Sequence, residues 1–166
     1  MSRSLVYKNW PFVVVGCLIE KNGKFLLVQE GQKERGKWNQ PAGWLDKGEN
    51  PIQGVKREAE EETGLKIKIT NFLGIYSLFR KNVKLYPKTK PVYLHCIKLL
   101  FVGKIVGEKI KKLDKKEIQN IKWFKPKEIF AMDKKTLRDL DIKDEVKDYL
   151  AGRKYPLKLV KHCIVR

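Results

Sequence analysis

Hydrophobic residues near the start of the chain fall into two β-rich runs, at residues 11–20 and 24–30. A polar turn containing Asn22-Gly23 separates the two runs. Asn-Gly is a strong signal for a two-residue hairpin turn, because both positions of that turn require positive φ angles. The pattern therefore predicts a β-hairpin.

Two longer runs of β-branched and aromatic residues follow, at residues 67–80 and 92–106. A basic loop joins these runs, and we expect the two strands to pair across it. Their aromatic residues Tyr76, Phe79 and Tyr93 are expected to be buried. The remaining pattern predicts a strand at 120–124 and helices at 126–132 and 142–150.

An amphipathic helix is predicted between the two strand pairs. Asn50 is a suitable N-cap, Pro51 suits the first helical position, and Gly64 can adopt the left-handed conformation that ends a helix. At helical spacing, an apolar stripe would seat this helix on the core. The stripe consists of Ile52, Val55 and Ala59.

The same helix brings several carboxylates together. Glu58, Glu61 and Glu62 share one narrow sector, because residues three and four apart are surface neighbours. Gly54 lies on that side one turn earlier and is expected to leave room for a ligand. Glu60 points away, towards solvent.

Three converging carboxylates repel one another, which raises their pKa values or requires a counter-ion. Mg²⁺ or Mn²⁺ would meet that requirement, because hard cations prefer oxygen ligands. Arg57 could hold Glu61, four residues further on, with its planar guanidinium. The alternative is an acidic, solvent-exposed helix without a ligand.

The length of 166 residues suits one domain, which we place at residues 1–150. Residues 151–166 form a C-terminal tail that is either mobile or packed against the domain. Three cysteines without paired spacing indicate neither a disulfide framework nor a zinc site, so a cytoplasmic location is expected. Cys17 and Cys96 fall in predicted strands and should be buried.

The chain is strongly basic, with 37 Lys and Arg against 19 Asp and Glu and a formal net charge of +18. Such an excess favours polyanionic partners, and both nucleotides and RNA qualify. Thirty of the 37 basic residues are lysine. A broad lysine excess is equally consistent with solubility or genomic composition.

The acidic helix belongs to a longer motif that resembles the signature of the Nudix hydrolases. The motif has Gly43, five residues, Glu49, seven residues, and then Arg57-Glu-Ala-Glu-Glu-Glu-Thr-Gly-Leu65. The preceding residues 37–43 (Lys-Trp-Asn-Gln-Pro-Ala-Gly) are similar to the strand and turn that lead into this box in the family. Residues 115–124 resemble its distal acidic loop and the following strand. The resemblance implies an α/β fold, a Nudix-type α/β/α sandwich with a mixed β-sheet.

The resemblance also implies site residues. The metal would be held by Glu58, Glu62 and the main-chain carbonyl of Gly43, with Glu61 either a further ligand or the base that deprotonates the attacking water. Arg57 would belong to the catalytic set. A distal carboxylate is often recruited in this family, and Glu117 is the candidate here, with Asp114 as its competitor.

Other residues would be needed to bind the organic half and the terminal phosphates of a substrate. Trp44 directly follows the first glycine of the box, so its ring could stack on a base or thiazole. Arg35 and Lys37 could hold terminal phosphates.

The expected function is metal-dependent hydrolysis of the diphosphate linkage in nucleoside di- or triphosphates or related small diphosphates. Within the family, the chain is similar to bacterial members that cleave nucleoside tri- and diphosphates and thiamine pyrophosphate. Two alternatives are removal of pyrophosphate from the 5′ end of RNA, and a non-catalytic nucleotide- or RNA-binding module on the same fold. No membrane partner is expected, since no apolar run has the length of a membrane span.

Overall fold

The computed structural model describes residues 11–31, 36–83, 92–109 and 113–165. These residues form a β-sheet with helices on both faces, as the predicted α/β/α sandwich requires. The strands are β1 (Phe12–Lys21), β2 (Lys24–Glu30), β3 (Trp38–Asn39), β4 (Ala42–Trp44), β5 (Leu65–Val83), β6 (Val92–Lys109) and β7 (Ile118–Phe124). The helices are α1 (Pro51–Thr63), α2 (Pro126–Ala131), α3 (Ile142–Leu150) and a short 3₁₀ helix (Leu157–Leu159).

The sheet is mixed, with strand order β3-β2-β1-β6-β5, while β4 pairs with β1 and β7 with β2. Strands β1 and β6 run parallel. The predicted hairpin is confirmed, and its Asn22 and Gly23 have φ angles of 53° and 73°. The predicted pairing of the two long strands, β5 and β6, is also confirmed and is antiparallel.

Two hydrophobic cores lie on the two faces of the sheet. Val55 and Ala59 of α1 pack on one face, against β1 residues that include Cys17. Ile129 of α2 and Val146 of α3 pack on the other face. The predicted apolar stripe of α1 is therefore confirmed, and it fixes the acidic side of the helix relative to the sheet.

Both predicted ends of α1 are confirmed. Asn50 Oδ1 accepts a hydrogen bond from Ile52 N at 2.9 Å, and Gly64 has a φ of 68°. The prediction for Glu60 is wrong. Its Oε1 accepts a hydrogen bond from Ile67 N at 3.0 Å, because the end of the helix brings the carboxylate over the start of β5.

The predicted burial of two aromatic residues is also wrong. Phe79 and Tyr93 are 58% and 62% exposed, and their rings stack on each other at 5.7 Å. Phe79 lies ten residues beyond Ile69, which packs in the core under α1, so it has passed the end of the helix layer. Tyr76 is partly buried, and its hydroxyl donates to Asp148 Oδ2 at 2.8 Å.

The C-terminal segment packs on the outer strand of the sheet. Phe72 and Tyr155 exchange two backbone hydrogen bonds, of 2.9 and 2.8 Å. Leu157 and Val160 contact the core on the α1 side. None of the helices in the described ranges is long and apolar enough to cross a lipid bilayer.

Candidate active site

A cavity of about 500 Å³ is lined by residues of α1, of strands β1, β4, β5 and β6, and of the segment between α2 and α3. Acidic side chains of α1 line one end, while strands β1, β5 and β6 line its inner wall. Six residues of the predicted site line the cavity, and so does the alternative to one of them. They are Gly43, Trp44, Glu58, Glu61, Glu62 and Glu117, together with the alternative Asp114.

Gly43 and Glu58 are in very close contact. A Cβ atom built on Gly43 would lie 2.0 Å from the carboxyl carbon of Glu58, a distance that real structures do not allow. The glycine therefore lets the carboxylate of the helix lie directly against the main chain of β4. Burial raises the pKa of Glu58, and the nearby Arg57 only partly opposes that shift.

Arg57 is the centre of the ion-pair network at this end of the cavity. Its Nε and Nη2 donate to the two carboxylate oxygens of Glu49, both at 2.9 Å, and its Nη1 donates to Glu58 Oε1 at 2.7 Å. The predicted contact with Glu61 is long, at 3.5 Å. Arg57 also donates to the main-chain oxygen of Trp44 at 3.1 Å, so it ties α1 to β4.

The space beside Gly54 is filled by the chain itself, which overturns the expectation of room for a ligand. A Cβ at Gly54 would lie 2.8 Å from Glu49 Oε2 and 2.9 Å from Leu45 Cδ1. The hydrogen bonds from Arg57 lower the pKa of Glu49, which keeps that carboxylate ionised. The glycine thus makes room for the partner of Arg57.

Glu62 is the most deeply buried carboxylate of the box. Its Oε2 accepts a hydrogen bond from the backbone N–H of Ala42 at 2.9 Å. Burial raises its pKa well above the ordinary value, and the negative charges of Glu30 and Glu58 raise it further. A carboxyl group in this position is costly to ionise unless a cation accompanies it.

Glu61 and Glu117 face the cavity from more exposed positions. The side chain of Glu61 is 50% exposed. Glu117 is held through its main chain, whose oxygen accepts from Gly31 N at 2.7 Å. Asp114 caps the same turn through a hydrogen bond from Lys116 N to its Oδ1 at 2.8 Å. Both distal carboxylates line the cavity, so the geometry does not choose between them.

The donor set at the acidic end fits a hard divalent cation. Glu58 and Glu62 offer oxygen ligands, and burial together with mutual repulsion makes both of them costly to leave uncompensated. In the described ranges, no three His, Cys, Asp or Glu side chains already stand in a metal-ligating arrangement. Glu58 and Glu62 instead contact Arg57 and the N–H of Ala42.

The residues predicted to bind substrate lie at different places. The ring of Trp44 is 42% exposed and stacks on Phe12 at 4.2 Å, so one aromatic wall of the cavity contains both rings. Lys37 is partly buried beside Glu30 and is not among the described residues that line the cavity. Arg35 falls outside the described residues.

Sequence reasoning missed the basic side of the cavity. Arg138 donates to Glu30 at 2.6 Å, Arg80 donates to Asp139, and all four residues line the cavity. Lys98, also on the cavity wall, forms an ion pair with Asp141 at 2.5 Å and another with Glu145 at 2.8 Å. Arg138 and Asp139, in the segment between α2 and α3, thus supply part of the cavity wall that no local pattern had indicated.

One signal in the sequence could have found these arginines. Only seven of the 37 basic residues are arginine. Arg57, Arg80 and Arg138 each bind a carboxylate at or beside the cavity. In a chain that uses lysine on its surface, an arginine marks a position where a planar fork of donors is needed.

Gly43→Ala should disable the site without unfolding the protein. The new methyl group would displace the carboxylate of Glu58, and a misplacement of about 1 Å can cost about a hundredfold in turnover. Diphosphate hydrolysis and circular dichroism check the two halves of this prediction. Gly74→Ala is the matched control, because its Cβ would make only an ordinary 3.4 Å contact with Tyr76. Full activity in Gly43→Ala would show that Glu58 does not need its present position.

Comparisons with known proteins agree with the geometry. The NUDIX domain family model matches residues 10–146. Phosphatase NudJ of Escherichia coli strain K12 is 27% identical over 150 residues, which cover 90% of this chain and 90% of that protein. A Nudix hydrolase structure from Nitrosomonas europaea has a TM-score of 0.77 and 32% identity, and the match covers 93% of this chain and 98% of the other.

A MutT protein from Methanosarcina mazei Go1 is also similar. Its TM-score is 0.65 at 25% identity, over 87% of this chain and 96% of that chain. The family model spans most of the sequence, and the complete box motif lies at the cavity. The chain therefore belongs to the Nudix hydrolase family and is a pyrophosphohydrolase of that family.

Proposed function

We propose that this enzyme is a divalent-metal-dependent hydrolase that cleaves the diphosphate linkage of nucleoside di- or triphosphates or related small diphosphates. The observation that carries the proposal is that Glu58, Glu61 and Glu62 all line the cavity, with Glu58 directly against the main chain of Gly43. Nudix hydrolases act on small nucleotide or diphosphate substrates. A similar bacterial protein is named a phosphatase.

Mg²⁺, or Mn²⁺ in its place, would be held by Glu58, Glu62 and the carbonyl of Gly43, with Glu61 as a further ligand or the base. When bound, such an ion supplies Lewis-acid stabilisation of phosphate oxygens and lowers the pKa of water. The buried carboxylates fit this role because their repulsion in the metal-free protein favours any cation that enters.

Glu61 is proposed to accept the proton of the attacking water. It is half exposed and has only a long contact with Arg57, so its carboxylate can turn towards the cavity. Glu117, which also lines the cavity, is the second candidate base. Arg57 acts through Glu58 and Glu49, so within the catalytic set we assign it a positioning role.

The substrate is proposed to enter along the aromatic wall formed by Trp44 and Phe12. Aromatic rings in such walls present an apolar face to planar groups. Arg35 and Lys37 remain proposed partners for terminal phosphates.

A phosphate-release screen tests the function. Nucleoside di- and triphosphates, thiamine pyrophosphate and sugar nucleotides should be assayed with Mg²⁺, with Mn²⁺ and with EDTA. We expect turnover of at least one substrate with either metal, and none with EDTA. Absence of turnover over the whole panel, or full activity in EDTA, would contradict the proposal.

The net charge of +18 favours a second substrate class, the 5′ end of RNA. Binding to a polyanion releases counter-ions, so activity on an oligonucleotide would fall steeply with salt, whereas activity on a mononucleotide would not. Hydrolysis of GTP and of a 5′-triphosphorylated RNA should therefore be compared between 50 and 300 mM KCl. A higher kcat/KM on the RNA, combined with the steep slope, would favour the second class.

A further inference from the structure

The turn that carries Glu117 packs directly against the end of strand β2. Gly31 follows β2, and its N–H donates to the main-chain oxygen of Glu117 at 2.7 Å. A Cβ atom at Gly31 would lie 2.0 Å from the main-chain oxygen of Lys116 and 2.8 Å from that of Glu117. Gly31 does not have a positive φ angle, so glycine is needed here for space and not for its backbone conformation. The glycine lets two main chains approach more closely than a side chain would allow.

Asp114 holds the same turn from its other end. Its side-chain Oδ1 accepts a hydrogen bond from Lys116 N at 2.8 Å. Its main-chain oxygen accepts from Glu117 N at 3.1 Å and from Ile118 N at 2.9 Å. Asp114 thus binds three successive N–H groups, as aspartate does when its side chain stabilises a turn.

A β-bulge connects this turn to the sheet. Glu30 pairs with Ile118, while the residue before Glu30 pairs with Asn120, so Gln119 is an additional residue in β7. Ile118 is buried and packs in the core on the α1 side. Bulges often redirect side chains next to active sites. Here the bulge anchors the end of the turn in the core, directly beside Glu117.

Position in the cavity does not separate Asp114 from Glu117, but their hydrogen bonds do. One carboxylate oxygen of Asp114 is engaged within the turn. The main chain of Glu117 is held at both its N–H and its oxygen, whereas its carboxylate has no hydrogen bond or ion pair with any other described residue. A carboxylate without a partner, on a fixed main chain, is available to a group that enters the cavity.

Glu30 relates this turn to the box helix. It directly precedes Gly31, lines the cavity, and lies close enough to Glu62 for its charge to raise the pKa of Glu62. Any shift of the turn relative to Gly31 is therefore also a shift relative to the box carboxylates.

We propose that Gly31 and Asp114 are positioning residues, which together fix the turn at residues 114–117 so that the carboxylate of Glu117 takes part in the hydrolysis. Gly31 sets the distance between the turn and β2, and Asp114 sets the internal shape of the turn. The chemistry is assigned to Glu117. The inference rests on the proposed function, because it specifies how the second candidate base is held.

Variant kinetics test the assignment, on the substrate that turns over fastest with Mg²⁺ in the phosphate-release screen. Gly31→Ala must move the turn by about 1 Å and should lower kcat by about 10–100-fold, with KM changed less than about threefold. Glu117→Gln should lower kcat by about 100-fold or more. The double variant Gly31→Ala, Glu117→Gln should be no slower than Glu117→Gln, because the position of a missing carboxylate no longer matters.

Two substitutions of Asp114 separate positioning from chemistry. An amide oxygen can still accept from Lys116 N, so Asp114→Asn preserves the turn and removes only the charge. Asp114→Ala loses that hydrogen bond and should lower kcat by about 10–100-fold, as Gly31→Ala does. Asp114→Asn should keep a kcat at least about fivefold above that of Asp114→Ala.

Gly107→Ala is the matched control for the glycine substitution. Its Cβ would also be crowded, at 3.1 Å, but by the flexible side chain of Lys66. Neither residue is among the described residues that line the cavity. The kcat of Gly107→Ala should equal that of the parent protein.

Amide hydrogen exchange provides a measurement that does not depend on turnover. The N–H groups of residues 116–118 should exchange faster than in the parent protein in Gly31→Ala and in Asp114→Ala. They should exchange at the parent's rate in Asp114→Asn and in Gly107→Ala. Should Gly31→Ala not fold, the two Asp114 variants decide, both in kcat and in exchange.

Four results would overturn the assignment. They are a parent-like kcat in Gly31→Ala or in Glu117→Gln, a double variant much slower than Glu117→Gln, equal losses in Asp114→Ala and Asp114→Asn, and parent-like exchange in Gly31→Ala. Failure of the proposed function is a separate result, since it would appear as absent turnover of the parent protein. Exchange in the Gly31 and Asp114 variants would still show whether these residues fix the turn.

Discussion

Glu62→Gln should lower turnover by about 10²–10⁴-fold while making the metal-free protein more stable. Glu62 is proposed as a metal ligand, and an amide oxygen is a much weaker ligand for Mg²⁺ than a carboxylate. The Gln side chain has nearly the same shape, and its oxygen can still accept the hydrogen bond from Ala42 N. The loss should therefore appear in kcat and in the apparent affinity for Mg²⁺, and not in the fold.

The gain in stability follows from the raised pKa of Glu62. A carboxyl whose pKa is higher in the folded than in the unfolded protein destabilises the fold at pH values above its unfolded pKa of about 4.3. Each tenfold preference for the protonated form corresponds to about 1.4 kcal/mol. Glu62→Gln should thus raise the Tm in EDTA at pH 7.5, and the gain should shrink as the pH approaches 4.

Glu60→Gln provides the control on the same helix. Glu60 lies outside the cavity and binds Ile67 N, a contact that an amide oxygen preserves. The substitution Glu60→Gln removes the same charge as Glu62→Gln but should keep turnover close to that of the parent protein. Parent-like turnover in Glu62→Gln would show that Glu62 is not a metal ligand. A Tm of Glu62→Gln below that of the parent protein in EDTA would contradict the inference that the ionised Glu62 carboxylate destabilises the metal-free fold.

The parts of the fold that depend on neighbouring residues were predictable. Asn22-Gly23 specifies the hairpin, while Asn50 and Gly64 specify the ends of α1, because each acts within a few residues of itself. The helical spacing of the box likewise placed Glu58 and Glu62 together at the cavity. What spacing could not supply was the orientation of Arg57, whose main partner is Glu49 of the preceding loop.

The basic half of the cavity depends on contacts between residues far apart in the chain. Glu30 and Arg138 are 108 residues apart, Arg80 and Asp139 are 59 apart, and Lys98 and Glu145 are 47 apart. Such pairs form only after the sheet has its register and the segment between α2 and α3 has packed on it. No periodicity within a single element contains that information.

The aromatic residues of β5 and β6 are a second case in which the sequence of one element does not determine the structure around it. Composition predicts burial for Phe79 and Tyr93, but burial depends on whether a second layer extends over them. Helix α1 has 13 residues and β5 has 19, so the helix cannot cover the whole strand. The relative lengths of the two layers thus decide the exposure of those rings.

Lys98→Met should destabilise the protein by about 3–5 kcal/mol. Lys98 is almost fully buried and lies between Asp141 and Glu145, at 2.5 and 2.8 Å. Burial acts to lower the pKa of Lys98, but the charges of Glu145 and Asp141 outweigh it and raise that pKa. Burial raises the pKa of Glu145 to about 8, which shows that one ammonium does not fully compensate two carboxylates. Without the lysine, Asp141 would lose its counter-charge in a buried position, and the pKa of Glu145 would lie higher still.

Equilibrium unfolding in urea at pH 7.5 measures this loss of stability. Lys147→Met is the matched control on α3, because its ion pair with Asp144 at 3.0 Å is exposed and should contribute less than about 1 kcal/mol. The triple variant Lys98→Met, Asp141→Asn, Glu145→Gln removes all three charges and should recover most of the stability, since the cost comes from the unpaired carboxylates and not from the missing lysine. A small effect in Lys98→Met, or a triple variant no more stable than the single one, would show that this cluster does not hold α3 on the sheet by charge pairing.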